Sequence, residues 1–164
     1  MKRLIIIGAG GHGQVVKEVA EAIKLYDEII FLDDNSNLAV GNINSIVSYS
    51  KDDDVFCAIG NNEKREEILQ MVKKLNYNIP TLIHPTAYVS PTAIIEEGVV
   101  VEPMAIINTN SLVKKGSIIS VGAIVDHDAI IEAYSHINSG SICKAGSRIK
   151  IKKKLESGEV VKGY

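Results

Sequence analysis

Residues 83–148 read IHPTAY VSPTAI IEEGVV VEPMAI INTNSL VKKGSI ISVGAI VDHDAI IEAYSH INSGSI CKAGSR, and this stretch decides the fold. It divides without a gap into eleven hexads whose first residue is aliphatic, except in the last, which begins with Cys143. The fifth residue is always Ala, Ser or Val. Such a hexad forms one short strand and one turn, with its first residue in a narrow core and a small residue where the chain bends. The sequence therefore predicts stacked β-coils. Neighbouring coils together bury the aliphatic residues that a single coil would leave exposed.

The hexad pattern resembles the hexapeptide-repeat acyltransferases. The resemblance implies a left-handed parallel β-helix with three hexads, about eighteen residues, in each coil. A β-solenoid used only for structure or display is the alternative interpretation. Because the hexads end at Arg148 whereas relatives of this kind continue for further coils, we expect a β-helix shortened at its C-terminal end and followed by a short basic tail.

The first 80 residues follow a different pattern, in which strands and helices alternate. Residues 4–7 form a continuous apolar run, apolar residues then recur at helical spacing up to Ile23, and residues 29–32 form a second apolar run. This alternation is typical of a parallel sheet covered by helices. We therefore predict a Rossmann-like α/β domain over residues 1–80 and a β-helix domain over residues 81–164.

Composition argues for small-molecule chemistry. Eighteen basic and twenty acidic residues leave a formal net charge of -2, which gives no signature of nucleic acid or of an anionic membrane, and we predict neither partner. The apolar run at residues 4–7 is too short for a signal peptide or a membrane helix, so a cytoplasmic location follows. Cys57 and Cys143 lie among apolar neighbours and are predicted to be buried free thiols.

The segment GAGGHG, residues 8–13, follows a predicted strand and begins a predicted helix. Backbone N–H groups and the positive end of the helix dipole favour phosphate at such a position. The spacing of Gly8, Gly10 and Gly13 also matches the nicotinamide dinucleotide fingerprint, with Asp33 at the end of the next strand. A tight turn without a ligand is the third interpretation.

Together with the hexads, the motifs IIGAGGHG, FLDD and IGNN resemble the sialic acid O-acetyltransferase type family, which includes N-acetyltransferases of UDP-linked 4-amino sugars. The resemblance implies that the glycine loop holds the diphosphate, that the two acids hold the uridine, and that the IGNN loop holds the nucleotide or the sugar. His12 could instead be a residue that caps the helix start. The implied substrate-binding residues are Gly10, Gly11, His12, Gly13, Asp33, Asp34, Gly60 and Asn61.

The segment VDHDA carries the candidate base. His127 lies between Asp126 and Asp128, and a carboxylate beside an imidazole fixes its tautomer and favours its protonated form. A histidine that titrates near neutrality is suited to remove a proton from an attacking group. The resemblance assigns His127 as the general base and Asp128 as its partner.

The resemblance also assigns His136 to the acetyl end of acetyl-coenzyme A. Stacking of coils places Ala145 above His127, and we predict that Ala145 contacts the same co-substrate. A zinc site is an alternative, because one class of carbonic anhydrase uses this β-helix, but the spacing of the histidines does not match, and we predict no metal. Stacking of coils predicts Asn108 below Asp126 and Asn110 below Asp128.

These expectations describe an acetyl-CoA-dependent enzyme that acetylates the amino group of a UDP-linked sugar for bacterial surface glycans. O-acetylation of a sialic acid or related sugar is the alternative within the class. A catalytically weak nucleotide-sugar-binding protein is the alternative outside it. In relatives of this kind the co-substrate lies between neighbouring β-helices of a trimer, so the resemblance implies a homotrimer.

Overall fold

The structure, a computed structural model, describes residues 2–164. The chain forms two compact units, one ending at Pro80 and the other being Thr81–Tyr164. No helix within residues 2–164 is long and apolar enough to cross a membrane.

The first unit is a parallel sheet with helical crossovers, as predicted. Its strand order is β2-β1-β3, and the side chains of the central strand from Leu4 to Ile7 are fully buried. Both α-helices begin within five residues of the end of a strand, an arrangement that brings loops together at the carboxyl edge of a sheet. The elements are β1 (Arg3–Ile7), α1 (Gly11–Ile23), β2 (Glu28–Leu32), a 3-10 helix (Ile43–Ser48), β3 (Asp54–Cys57) and α2 (Asn62–Lys74).

The second unit is a coil of two-residue strands that stack in three parallel sheets over the described part of the chain. Partners lie eighteen residues apart, as in the pairing of Ile118 with His136. The strands are β4 (Leu82–Ile83), β5 (Tyr88–Val89), β6 (Ile94–Ile95), β7 (Val100–Val101), β8 (Ile106–Ile107), β9 (Leu112–Val113), β10 (Ile118–Ile119), β11 (Ile124–Val125), β12 (Ile130–Ile131), β13 (His136–Ile137), β14 (Ile142–Cys143), β15 (Arg148–Ile149) and β16 (Val160–Val161).

Each position of the hexad has a distinct role in the coil. First-position residues from Val101 to Ile149 are buried. Removing each aliphatic side chain from water contributes about 1.5–3 kcal/mol to the stability of the fold. Fifth-position serines are buried, and three of them, Ser117, Ser135 and Ser141, donate to a carbonyl of the next coil. The fourth position has a positive φ in every hexad from Gly98 to Gly158, because the turn requires a left-handed residue there.

The coil continues beyond Arg148, contrary to the expectation of a basic tail. β15 pairs with β12, β16 pairs with β14, and Leu155 is 1% exposed. The aliphatic first position persists at Ile149, Leu155 and Val161, although Lys153 and Glu159 replace the small fifth residue. The prediction of a basic tail is therefore wrong, because residues 149–161 are part of the β-helix.

Both cysteines are buried free thiols, as predicted. Burial raises the pKa of Cys57 and of Cys143 to about 12, so both remain protonated at neutral pH.

Candidate active site

His127 lies on the corner that joins β11 to β12. Its Nδ1 is 2.7 Å from Asp128 Oδ2, and its backbone N–H donates to Asp126 Oδ1 at 2.7 Å. Asp128 occupies the left-handed fourth position with φ 58°, which aspartate tolerates better than most residues. The two aspartates therefore fix both the backbone and the ring of the histidine.

The coil below supports both aspartates, as the stacking predicted. Asn108 Nδ2 donates to Asp126 Oδ1 at 3.0 Å, and Asn110 Nδ2 donates to Asp128 Oδ1 at 3.4 Å. In the coil above, Gly146 N donates to the carbonyl oxygen of His127 at 3.0 Å, which places Ala145 directly over the histidine. The corner is thus braced from both sides.

Electrostatics favour the protonated form of the histidine. The hydrogen bond to Asp128 raises the pKa of His127, with the charge of Asp126 adding to the effect. The same bond lowers the pKa of Asp128, and the His127 N–H lowers that of Asp126. The side chain of His127 is 46% exposed, so a neutral ring that donates from Nδ1 presents Nε2 to solvent as a proton acceptor.

Tyr164 also contacts this corner, although the sequence did not predict it. Its hydroxyl donates to Asp128 Oδ2 at 3.4 Å, and its ring centroid lies 6.4 Å from that of His127. The ring packs on Gly146, where a Cβ would overlap it. The contact joins residues 36 positions apart, and no local motif signals it.

His136 lies elsewhere on the same coil. Within one coil the chain passes from β11 through β12 to β13, so the corner of His127 is opposite the sheet that contains His136. His136 Nε2 is 3.0 Å from Ser120 Oγ. A single chain therefore does not bring the two histidines together.

The glycine loop at the end of β1 combines open and packed positions. A Cβ at Gly10 or Gly11 would meet no heavy atom within 4 Å. A Cβ at Gly13 would instead overlap the carbonyl oxygen of Gly8, which has φ +102°. Gly10 and Gly11 are exposed and leave their backbone open to solvent, whereas Gly13 allows helix α1 to start close to the loop.

The two acids after β2 both accept backbone hydrogen bonds. Asp33 Oδ2 accepts from Ala9 N at 2.8 Å, and its Oδ1 accepts from Asn35 N at 2.8 Å. The bond from Ala9 lowers the pKa of Asp33. Asp34 Oδ1 accepts from Ile43 N at 2.9 Å. Asp33 therefore ties the glycine loop to β2, and the sheet brings the GAGGHG and FLDD motifs together.

The IGNN loop follows β3 on the other side of β1. Gly60 also faces open space, since a Cβ there would meet nothing within 4 Å. The side chain of Asn61 caps α2, accepting from Lys64 N at 2.8 Å. Burial, with the positive charge of Arg65 nearby, lowers the pKa of His12 to about 4. His12 is therefore neutral at physiological pH.

Known proteins are similar to both units of this chain. Residues 3–72 match the family model described as the PglD N-terminal domain. The acetyltransferase domain of PglB from Neisseria gonorrhoeae FA1090, solved in complex with acetyl coenzyme A, is 38% identical with a TM-score of 0.94, covering 98% of this chain and 82% of that one. The chain belongs to the hexapeptide-repeat acyltransferases.

Two N-acetyltransferases are also similar to this chain. A mutant of perosamine N-acetyltransferase from Caulobacter crescentus, in complex with CoA and GDP-perosamine, is 26% identical with a TM-score of 0.88, covering 98% of this chain and 88% of that one. UDP-N-acetylbacillosamine N-acetyltransferase of Bacillus subtilis (strain 168) is 31% identical over 108 residues, 60% of this chain. The match spans half the length of that curated relative.

Membership of the hexapeptide-repeat acyltransferases confirms the predicted fold class, an α/β N-terminal unit followed by a left-handed parallel β-helix. Among residues 2–164 no group of three or more His, Cys, Asp or Glu side chains could hold a metal ion.

Proposed function

We propose that this chain transfers acetyl from acetyl-coenzyme A to the amino group of a nucleotide-linked sugar. The observation that carries the proposal is the contact of His127 Nδ1 with Asp128 Oδ2 at 2.7 Å on an exposed, braced corner of the β-helix. An imidazole held in this way can accept a proton at Nε2 while the carboxylate stabilises the imidazolium that forms. His127 is the general base, and Asp128 is its partner.

The reaction needs one proton acceptor and one acyl donor. As the sugar amine attacks the thioester carbonyl, the C–N bond forms and His127 Nε2 removes a proton from nitrogen. Collapse of the tetrahedral intermediate breaks the C–S bond and releases the thiolate of coenzyme A, which takes up a proton. Ala145, directly above His127, is suited to contact the acetyl end of the co-substrate.

The first unit supplies the nucleotide site in this proposal. Gly10, Gly11 and Gly60 expose backbone to open space at one edge of the sheet, as a diphosphate requires. Asp34 is exposed and keeps Oδ2 for a uracil or ribose donor. Support comes from similar proteins whose names or ligands include UDP- and GDP-linked amino sugars. They favour N-acetylation over O-acetylation of a sialic acid.

The proposed enzyme is a homotrimer in which each site is shared between two chains. His127 and His136 occupy opposite sides of one coil, so they can share an acetyl-coenzyme A molecule only if two chains supply them. The outward face of the β5-β8-β11-β14-β16 sheet adds an apolar column in which Tyr88, Ile106 and Val160 are 54%, 36% and 50% exposed. A neighbouring chain packed on this face would bury it. Use of acetyl-coenzyme A and a nucleotide sugar supports a cytoplasmic location.

Acetyl transfer is tested by thiol release from acetyl-coenzyme A with a UDP-linked 4-amino sugar as acceptor. We expect turnover by the wild type and a loss of about 100-fold to 10,000-fold in kcat for His127→Ala, with little change in sugar-nucleotide affinity. His84→Ala is the matched control, because His84 is another corner histidine, paired with Thr86 at 2.9 Å.

Retention of transfer by His127→Ala would show that the base is another residue. A wild type that binds the sugar nucleotide by calorimetry, but neither binds acetyl-coenzyme A nor releases thiol, would identify a binding protein instead.

A further inference from the structure

Arg65 is a buried cation in the first turn of α2. Its side chain is among the largest that are fully buried, with 1% of the residue exposed. Helical side chains lean toward the N-terminus of their helix, and Arg65 therefore reaches back beneath the loop that precedes α2. A charged group is rarely buried to this degree unless specific contacts hold it.

The guanidinium bonds to the IGNN loop. Its Nη1 donates to Ile59 O at 2.9 Å and to Gly60 O at 3.2 Å, while its Nη2 donates to Asn62 Oδ1 at 2.6 Å. One planar group thus contacts two carbonyls of the loop and the first residue of α2, a geometry that a lysine ammonium could not match.

These bonds determine which way the loop presents its donors. In a trans peptide the N–H points opposite to the C=O of the same peptide unit. Because the carbonyls of Ile59 and Gly60 face the guanidinium, the N–H groups of Gly60 and Asn61 face away from it. Gly60 is exposed, and a Cβ there would meet no heavy atom within 4 Å, so a ligand can approach this part of the loop.

The charge of Arg65 also reaches the glycine loop. Burial lowers the pKa of Arg65 to about 10, so the guanidinium remains protonated at neutral pH. Its positive charge contributes to the low pKa of His12, which belongs to the GAGGHG segment. A positive charge enclosed by protein acts over a longer distance than one in water.

We infer that Arg65 is a positioning residue for the nucleotide diphosphate, orienting the Gly60 and Asn61 amides toward it and providing positive potential behind both loops. The inference rests on the proposed function and adds to it a residue outside the three motifs. It does not require the guanidinium to touch the ligand.

The test compares Arg65→Met, Arg65→Lys and the control Lys74→Met, which removes an exposed charge from the far end of the same helix. Calorimetry with UDP, and separately with GDP, measures the affinity of the nucleotide. We expect Arg65→Met to weaken binding by about 10-fold to 100-fold and Arg65→Lys by less, since it keeps the charge. The KM for the sugar nucleotide rises in parallel, while kcat and the KM for acetyl-coenzyme A stay within about 2-fold of the wild type.

A folded Arg65→Met with wild-type affinity for UDP would overturn the inference. If Arg65→Met does not fold, NMR spectra of the wild type test the role of Arg65 instead, through the backbone amide signals and the guanidinium signal. Addition of UDP must shift the signals of Gly60, Asn61 and Arg65, and unchanged signals contradict the role. A wild type that binds neither UDP nor GDP refutes the proposed function itself.

Discussion

Gly11 and Gly13 form a matched pair of positions on either side of His12. The same added methyl group meets open space at Gly11 and the carbonyl oxygen of Gly8 at Gly13. Gly13→Ala therefore forces the helix start away from the loop, and overpacking of this kind costs about 1–3 kcal/mol. A loss of about 2 kcal/mol lowers the melting midpoint by about 8–16 °C in a unit of this size. Gly11→Ala should leave stability unchanged or raise it by up to about 1 kcal/mol.

UDP binding should depend on Gly11, whereas thermal stability should depend on Gly13. Gly11→Leu places a bulky side chain where the proposed diphosphate approaches, so UDP binding should fall by more than about 100-fold while the melting midpoint stays near that of the wild type. Circular dichroism against temperature and calorimetry with UDP measure the two effects. Wild-type affinity of Gly11→Leu for UDP would contradict the binding role of Gly11. Equal melting temperatures of Gly13→Ala and Gly11→Ala would contradict the packing role of Gly13.

Three further predictions concern the β-helix. Wild-type activity should rise with pH through a midpoint above about 6.5, the ordinary value for histidine, because the hydrogen bond to Asp128 raises the pKa of His127. Asp128→Asn should move that midpoint to lower pH and reduce the maximum rate, and an unchanged profile would remove Asp128 as the partner. Leu155→Ala should cost about 2–5 kcal/mol in chemical denaturation, whereas Ile151→Ala, at a residue that is 57% exposed, should cost less than about 0.5 kcal/mol. Light scattering should give three times the chain mass of 17.8 kDa, and a monomer at working concentration would contradict the assembly.

The repeat was predictable because its signal is redundant. Each hexad places an aliphatic residue in the same core, and the period survives single exceptions such as Cys143. The end of the repeat is hidden in the sequence because Lys153 and Glu159 stand where earlier hexads have a small fifth residue. The last coil tolerates long side chains at that position, while Leu155 still keeps the period.

The candidate sites were predictable only as far as local motifs extend. The corner around His127 combines neighbours in sequence with residues eighteen positions away, so its hydrogen bonds to the lower coil followed from the period. The sequence NEKREE around Arg65 is typical of a solvated helix face, and nothing local indicates that its arginine is buried. The bond from Ala9 to Asp33 likewise depends on the pairing of β1 with β2.

The strict six-residue phase of the coil limits how this protein can evolve in length. Loss of one residue ahead of His127 would rotate every later side chain by one position, exposing core residues and moving the histidine off its corner. Insertion or loss of eighteen residues would change the number of coils and leave each remaining residue with equivalent neighbours above and below. Whole-coil steps are therefore the tolerated unit of gain and loss, and the corner of His127 can be inherited intact by descendants whose helices differ in height.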